Sequence, residues 1–115
     1  MIPKLSVVIP CYNMGEYVDE ALKSVLSYPT QNDIEVIIIN DGSNDNNYTK
    51  KILDSYNFDN VFVIHQSNKG LGNARNTGIK LAKSPFLISS LSKVLYSNLK
   101  FSKQSLVQPS SIFPP

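Results

Sequence analysis

Residues 5–9 and 34–39 are runs of mostly apolar, β-branched positions. Such runs are the pattern of strands covered on both faces, whereas a strand with one wet face alternates. Between them Val18, Ala21, Leu22, Val25 and Leu26 recur at i, i+3, i+4, i+7 and i+8, which places them on one face of a helix. Asn13 stands three residues before Glu16, the spacing of a capping box, and Asp19 with Lys23 makes an i, i+4 pair on the polar side. Pro29 closes the helix. Tyr48, Ile52, Leu53 and Tyr56 predict a second, weaker helix, and residues 61–64 a third strand. Leu71, Ala74, Gly78, Leu81 and Ala82 predict a third helix with a small-residue face suited to close packing on a sheet, and residues 86–88 a fourth strand.

Strand and helix thus alternate four times. The common way to bury such elements is a parallel sheet with helices on its faces, so the predicted class is α/β. With 115 residues, 42% of them hydrophobic, there is material for one core and none for a second lobe. A single cysteine, Cys11, excludes an internal disulfide framework and a cysteine metal cluster, and is read as inert. The apolar run at 5–9 is stopped by Pro10 and the run at 36–39 is shorter still, so no secretory or membrane-spanning segment is expected. Net charge is +2, but it is unevenly spread: residues 1–59 hold all 9 acids and 4 of the 11 bases, and residues 60–115 hold the other 7 bases. Those bases are scattered and do not alternate with aromatic residues as a stacking groove requires, which argues against a nucleic-acid partner.

In an open parallel sheet the loops leaving the carboxyl ends of the strands gather at one edge, where ligands bind. Here that edge collects Pro10, Cys11, Tyr12 and Asn13, then residues 41–45, then residues 68–72, with Asn73, Arg75 and Asn76 opening the next helix. Asp41, at the rim after an apolar strand, could accept from a base N–H or ribose hydroxyls; an Asx turn or a helix cap would use the same carboxylate. Tyr12 offers a flat face to a base, or simply packs. Gly70 and Gly72 precede a helix and would let a phosphate approach the backbone, although their spacing is that of neither a Walker loop nor G-x-G-x-x-G, and ordinary turns use glycine too. Arg75 could clamp a diphosphate or be a plain surface arginine. His65, the one histidine, is read as structural.

Together LSVVIPCYN at 5–13, IIINDGSND at 37–45 and NKGLGNARNTGI at 68–79 resemble the family 2 glycosyltransferases of the GT-A type, over residues 4 to about 88. The resemblance implies a Rossmann-like three-layer sheet of strand order 3-2-1-4 with a nucleotide-diphospho-sugar, commonly a UDP-sugar, at its carboxyl edge. By the same resemblance Pro10, Tyr12 and Asn13 would line the nucleotide pocket, Asp41 would hold base or ribose, and Gly70, Arg75 and Asn76 would lie near base and diphosphate. A cytoplasmic place, including the inner face of a membrane where surface polysaccharides are assembled, is implied in the same way.

The family's fourth strand runs into an acidic pair that holds Mg²⁺ or Mn²⁺ against the diphosphate, offsetting the charge that develops as the sugar leaves. Here SPFLIS is followed by SLSKVLYSNLK, and Ser89, Ser90, Leu91, Ser92 and Lys93 stand where the acids are expected; no Asp or Glu follows Asp59. Nine serines fall after residue 83, against six before. That shift suggests that the reading frame ended or changed near Ser89. The expected organisation is a nucleotide-sugar-binding half over 1–90 and a divergent, poorly ordered tail over 91–115, with no sugar transfer by the chain alone. The alternative is a non-catalytic module that pairs, or self-associates, through the edge left open at 86–88.

Overall fold

A computed structural model describes residues 2–89, apart from residues 28 and 30. The expected tail over 91–115 and the positions 90–93 lie outside the described residues. The apolar runs become four strands: β1 (Leu5–Cys11), β2 (Ile34–Asp41), β3 (Val61–Gln66) and β4 (Leu87–Ser89). Three helices join them, α1 (Gly15–Leu26), α2 (Tyr48–Asp54) and α3 (Leu71–Leu81), and a short 3₁₀ turn over Gln31–Asp33 leads into β2. The strands are all parallel in the order β3-β2-β1-β4, the order the family resemblance implied.

Both faces of the sheet are covered, which is why β1 and β2 read as continuous apolar runs. On one face Val7, Ile9 and Cys11 of β1 and Val36 and Ile38 of β2 meet Val18, Ala21, Leu22 and Val25 of α1 and Leu53 of α2. On the other, Val8, Ile37, Ile39 and Leu87 meet Ala74 of α3. At Gly78 a Cβ would run into Val8 Cγ1, so the small-residue face of α3 is what lets the helix lie on β1. Glu35 interrupts the apolar run of β2 and is nonetheless buried: its Oε2 accepts the Ser6 hydroxyl at 2.6 Å and the Lys83 amide at 2.9 Å. This pins the exit of α3 to the amino edge of the sheet.

Two local expectations are corrected. β1 does not stop at Pro10 but pairs on to Cys11, opposite Asn40. Among the described residues pairing with β4 ends at Val8, so Pro10 has a strand partner there on the β2 side alone, and a missing N–H can be tolerated on the other. Nor does Asn13 cap α1. The cap position is Met14, without a side-chain bond; the Gly15 amide donates instead to Thr49 Oγ1 of α2 at 3.2 Å, and Glu16 accepts the Tyr48 hydroxyl. The close approach of α1 and α2 explains the swap, since a Cβ at Gly15 would stand 3.0 Å from Thr49 Cα.

Candidate functional site

The carboxyl edge of the sheet is built from three loops tied together by side chains. Asp41, last residue of β2, is fully buried. A buried carboxylate is costly unless its oxygens are satisfied, and here the whole turn before α3 satisfies them. Oδ1 accepts the Lys69 amide at 2.9 Å and the Gln66 side-chain amide at 2.9 Å, and Oδ2 accepts the Gly70 amide at 2.8 Å. Asn68 Nδ2 donates to the Asp41 carbonyl at 3.0 Å. Gly70 takes φ 97°, a conformation that favours glycine, with nothing within 4 Å of where its Cβ would be.

Asn13 joins the first loop to the second. Its φ is 54°, in the left-handed region that asparagine tolerates. Its amide donates to Ser43 Oγ at 3.0 Å, its side-chain Nδ2 to Asn44 Oδ1 at 2.8 Å, and its Oδ1 accepts the Asn44 amide at 2.8 Å. Asp45, two residues before the cap position Asn47, then holds the first turn of α2, with Oδ1 accepting the Thr49 amide at 3.2 Å and Oδ2 the Thr49 hydroxyl at 2.6 Å. Those Thr49 bonds outweigh what burial does and hold the Asp45 carboxyl below its ordinary range.

The structure brings Pro10, Tyr12, Asn13, Asp41 and Gly70 to this one edge, with Arg75 and Asn76 on the first turns of α3. Tyr12 is half-buried, while Arg75 and Asn76 are exposed. Among the described residues no hydrogen bond or ion pair occupies these three side chains. Pro10 is buried in β1 and shapes the loop. Cys11 is buried beside them, and that burial pushes its thiol up to about 11, assisted by the Asp45 charge and opposed by a bond at the Met14 backbone. The thiol is protonated and inert at neutral pH, as the sequence suggested.

Sequence reasoning missed Gln66 and Thr49. Gln66 braces Asp41 and is itself held by Thr77, whose hydroxyl donates to Oε1 at 3.0 Å. Its place as last residue of β3, in register with Asp41, is the signal that would have found it.

With this geometry in view, residues 6–89 match the family described as Glycosyl transferase family 2. The chain belongs to that family. A curated relative, the uncharacterized glycosyltransferase EpsJ of Bacillus subtilis, is 40% identical over 89 residues, 76% of this chain and 25% of EpsJ. The solved structure of S. aureus TarS 1-349 in complex with UDP-GlcNAc matches at TM-score 0.67 and 33% identity, over 78% of this chain and 26% of that one. The mannosyltransferase PcManGT from Pyrobaculum calidifontis, solved with GDP-Man and Mn²⁺, shares the fold at TM-score 0.66 and 16% identity, over 81% of this chain and 28% of that one. This family 2 chain therefore spans about a quarter of the length of each of these three proteins.

A family 2 donor site raises the question of a divalent cation, and the described residues do not fit one. No group of three His, Cys, Asp or Glu side chains gathers among them. The acids at the carboxyl edge are Asp41 and Asp45, and both are engaged with backbone and Thr49 donors. Among the described residues β4 brings Ser89 to that edge, and its Oγ is buried with no hydrogen-bond partner among them. Among the described residues no helix is long and apolar enough to cross a membrane.

Proposed function

We propose that residues 6–89 form the nucleotide half of a glycosyltransferase donor site, which binds a nucleoside diphosphate sugar, with a UDP-sugar the first candidate, for transfer to a glycan or lipid-linked acceptor. The observation that carries this reading is the turn at Asn68, Lys69 and Gly70, held against the sheet by Asp41, on the same edge as Tyr12, Arg75 and Asn76, whose side chains make no hydrogen bond or ion pair among the described residues. In this reading the ring of Tyr12 supports the base, Asn13 shapes the same wall, and the guanidinium of Arg75 meets the diphosphate near the start of α3. TarS, with UDP-GlcNAc in its solved structure, supports the choice of uridine. Asp41 contributes in two ways. It fixes the Gly70 turn, and because a carboxylate can accept at about four positions, Oδ2, which accepts the Gly70 amide alone, keeps a position for a base N–H or ribose hydroxyl.

The chain's own share is donor binding without a cation. No acid follows Asp59, so the sequence beyond β4 offers no carboxylate to bridge a metal to the diphosphate, and transfer by this chain alone is not expected. The test is a titration of the ¹⁵N-labelled chain with UDP. Amides of residues 12–13, 41–45 and 68–76 are expected to shift together. Shifts confined to the opposite, amino edge would remove the proposed site.

A second reading rests on β4. Its outer side has no strand partner among the described residues, and Phe86 beside it is 40% exposed. A second copy adding a strand there would make the chain an association module. Size-exclusion chromatography separates the two: a monomer that binds UDP supports the donor site, and a self-associated chain without UDP binding supports the module.

A further inference from the structure

His65 lies on β3, outside the nucleotide-facing loops, yet a chain of hydrogen bonds runs from it to Asn13. The Ser43 backbone N–H, which can only donate, points at Asn40 Oδ1 at 3.3 Å, and the Ser43 hydroxyl donates to the same oxygen at 2.5 Å. That fixes which end of the Asn40 amide is oxygen. The other end, Nδ2, then donates to His65 Nδ1 at 3.0 Å. A nitrogen that accepts carries no proton, so the ring hydrogen sits on Nε2 and is donated to Asp54 Oδ1 at 2.7 Å. At the far end, Ser43 Oγ accepts the Asn13 amide at 3.0 Å, and Asn13 grips Asn44 through both ends of its side chain.

We infer that neutral His65, as its Nε2–H tautomer, is a positioning residue for the loop of residues 42–44 and for Asn13, and that protonating its ring releases them. A second proton has only Nδ1 to occupy, where it would face the N–H of Asn40. The amide cannot turn over to accept it without presenting its NH₂ to the Ser43 N–H. Either way one donor loses its acceptor: Asn40 Nδ2 if the amide stays, the Ser43 N–H if it turns over. The groups facing the ring are Asp54 from α2, itself paired with Lys50 at 2.7 Å, and uncharged Asn40 from β2. Nε2 donates to Asp54 with or without the second proton, so protonation leaves the α2 side bonded and breaks the relay on the β2 side. The consequence for nucleotide affinity rests on the donor-site reading; the relay itself does not.

The chain has one histidine, which makes the test direct. Long-range ¹H–¹⁵N spectra of the full chain at about pH 8 are expected to place the ring proton on Nε2 with Nδ1 bare. On acidification to about pH 5, the amides of Ser43 and Asn13 are expected to shift with the same midpoint as the ring. In Asn40→Ala the ring is expected to titrate still, while those amides no longer follow it. If Asn40→Ala does not fold, Ser43→Ala replaces it, with the Asn13 amide as reporter. A proton on Nδ1 at the higher pH, Ser43 and Asn13 amides indifferent to the ring titration, or equal coupling in the variant would each overturn the inference. UDP affinity is expected to fall by about threefold or more across the same range. Absence of UDP binding at every pH would instead overturn the donor-site reading, with the ring and amide results standing apart from it.

Discussion

Asp41 and Gly70 meet at 2.8 Å, carboxylate oxygen to backbone amide, across the gap between β2 and the start of α3. With the Lys69 amide on the other oxygen, this contact makes the turn a fixed wall of the proposed donor site. Asp41→Asn replaces one accepting oxygen with a donor while keeping shape. One of the two amides then faces an N–H, at a cost of about 1–3 kcal/mol for a buried unsatisfied donor. Chemical denaturation is expected to show that loss, and UDP binding is expected to disappear with it. Unchanged UDP affinity would take Asp41 out of the site.

Two glycines in the same helix predict opposite outcomes. At Gly78 a Cβ would collide with Val8 in the middle of β1, and both are deeply buried. Gly78→Ala should therefore destabilise by about 1–3 kcal/mol through overpacking. At Gly72 a Cβ would meet nothing within 4 Å, and Gly72→Ala should be neutral or stabilising by up to about 1 kcal/mol, since glycine is a poor helix former. Denaturation midpoints of the two variants check this; equal effects would contradict the packing of α3 on β1.

Thr49 joins α1 to α2, with the Gly15 amide on its Oγ1 and its own hydroxyl on Asp45. Thr49→Val keeps the volume and removes both bonds. A loss of about 1–2 kcal/mol is expected, whereas Thr49→Ser should recover most of it. If Ser fails to rescue, the methyl packing and not the hydroxyl is what matters at this position.

Much of the fold was legible because β1 and β2 are doubly covered, so each announces itself as an unbroken apolar run, and Val18 to Leu26 keeps helical spacing without interruption. Harder to read were partnerships between elements. Asn13 and Glu16 had the spacing of a local cap, but α2 lies so close that Thr49 provides the acceptor and Tyr48 engages Glu16. Glu35 interrupts the apolar run of β2, and its bonds to Ser6 and Lys83, which no sequence pattern announces, explain why it can be buried. The three loops of the candidate edge were correctly pooled from strand topology. What the spacing of residues could not show is that Asp41 bonds across to the turn at residues 69–70, since that depends on β2 and β3 lying side by side.

Asp19 and Tyr56 link α1 to the end of α2 at 2.9 Å. Burial and the Asp19 carboxylate push the Tyr56 hydroxyl above its ordinary range. Burial alone would raise Asp19, but bonds from Lys23 and Tyr56, with the Lys23 charge, hold it below. The tyrosine contribution is complete below the ordinary tyrosine pKa of about 10 and is lost as pH rises beyond it. The aspartate contribution is complete above about 3.9 and is lost as pH falls beneath it. Tyr56→Phe should therefore flatten the alkaline limb of stability against pH and part of the acid limb, Lys23 preserving the rest. Identical profiles for the variant and the parent chain would contradict the coupling.

The central claim is that this edge binds a nucleoside diphosphate through protein groups alone. Calorimetric titration of the chain with UDP, with and without Mn²⁺, tests it most directly. Binding with weak affinity, changed by less than about threefold on adding Mn²⁺, is predicted; no UDP binding at all, or a gain of about tenfold or more with Mn²⁺, would contradict it.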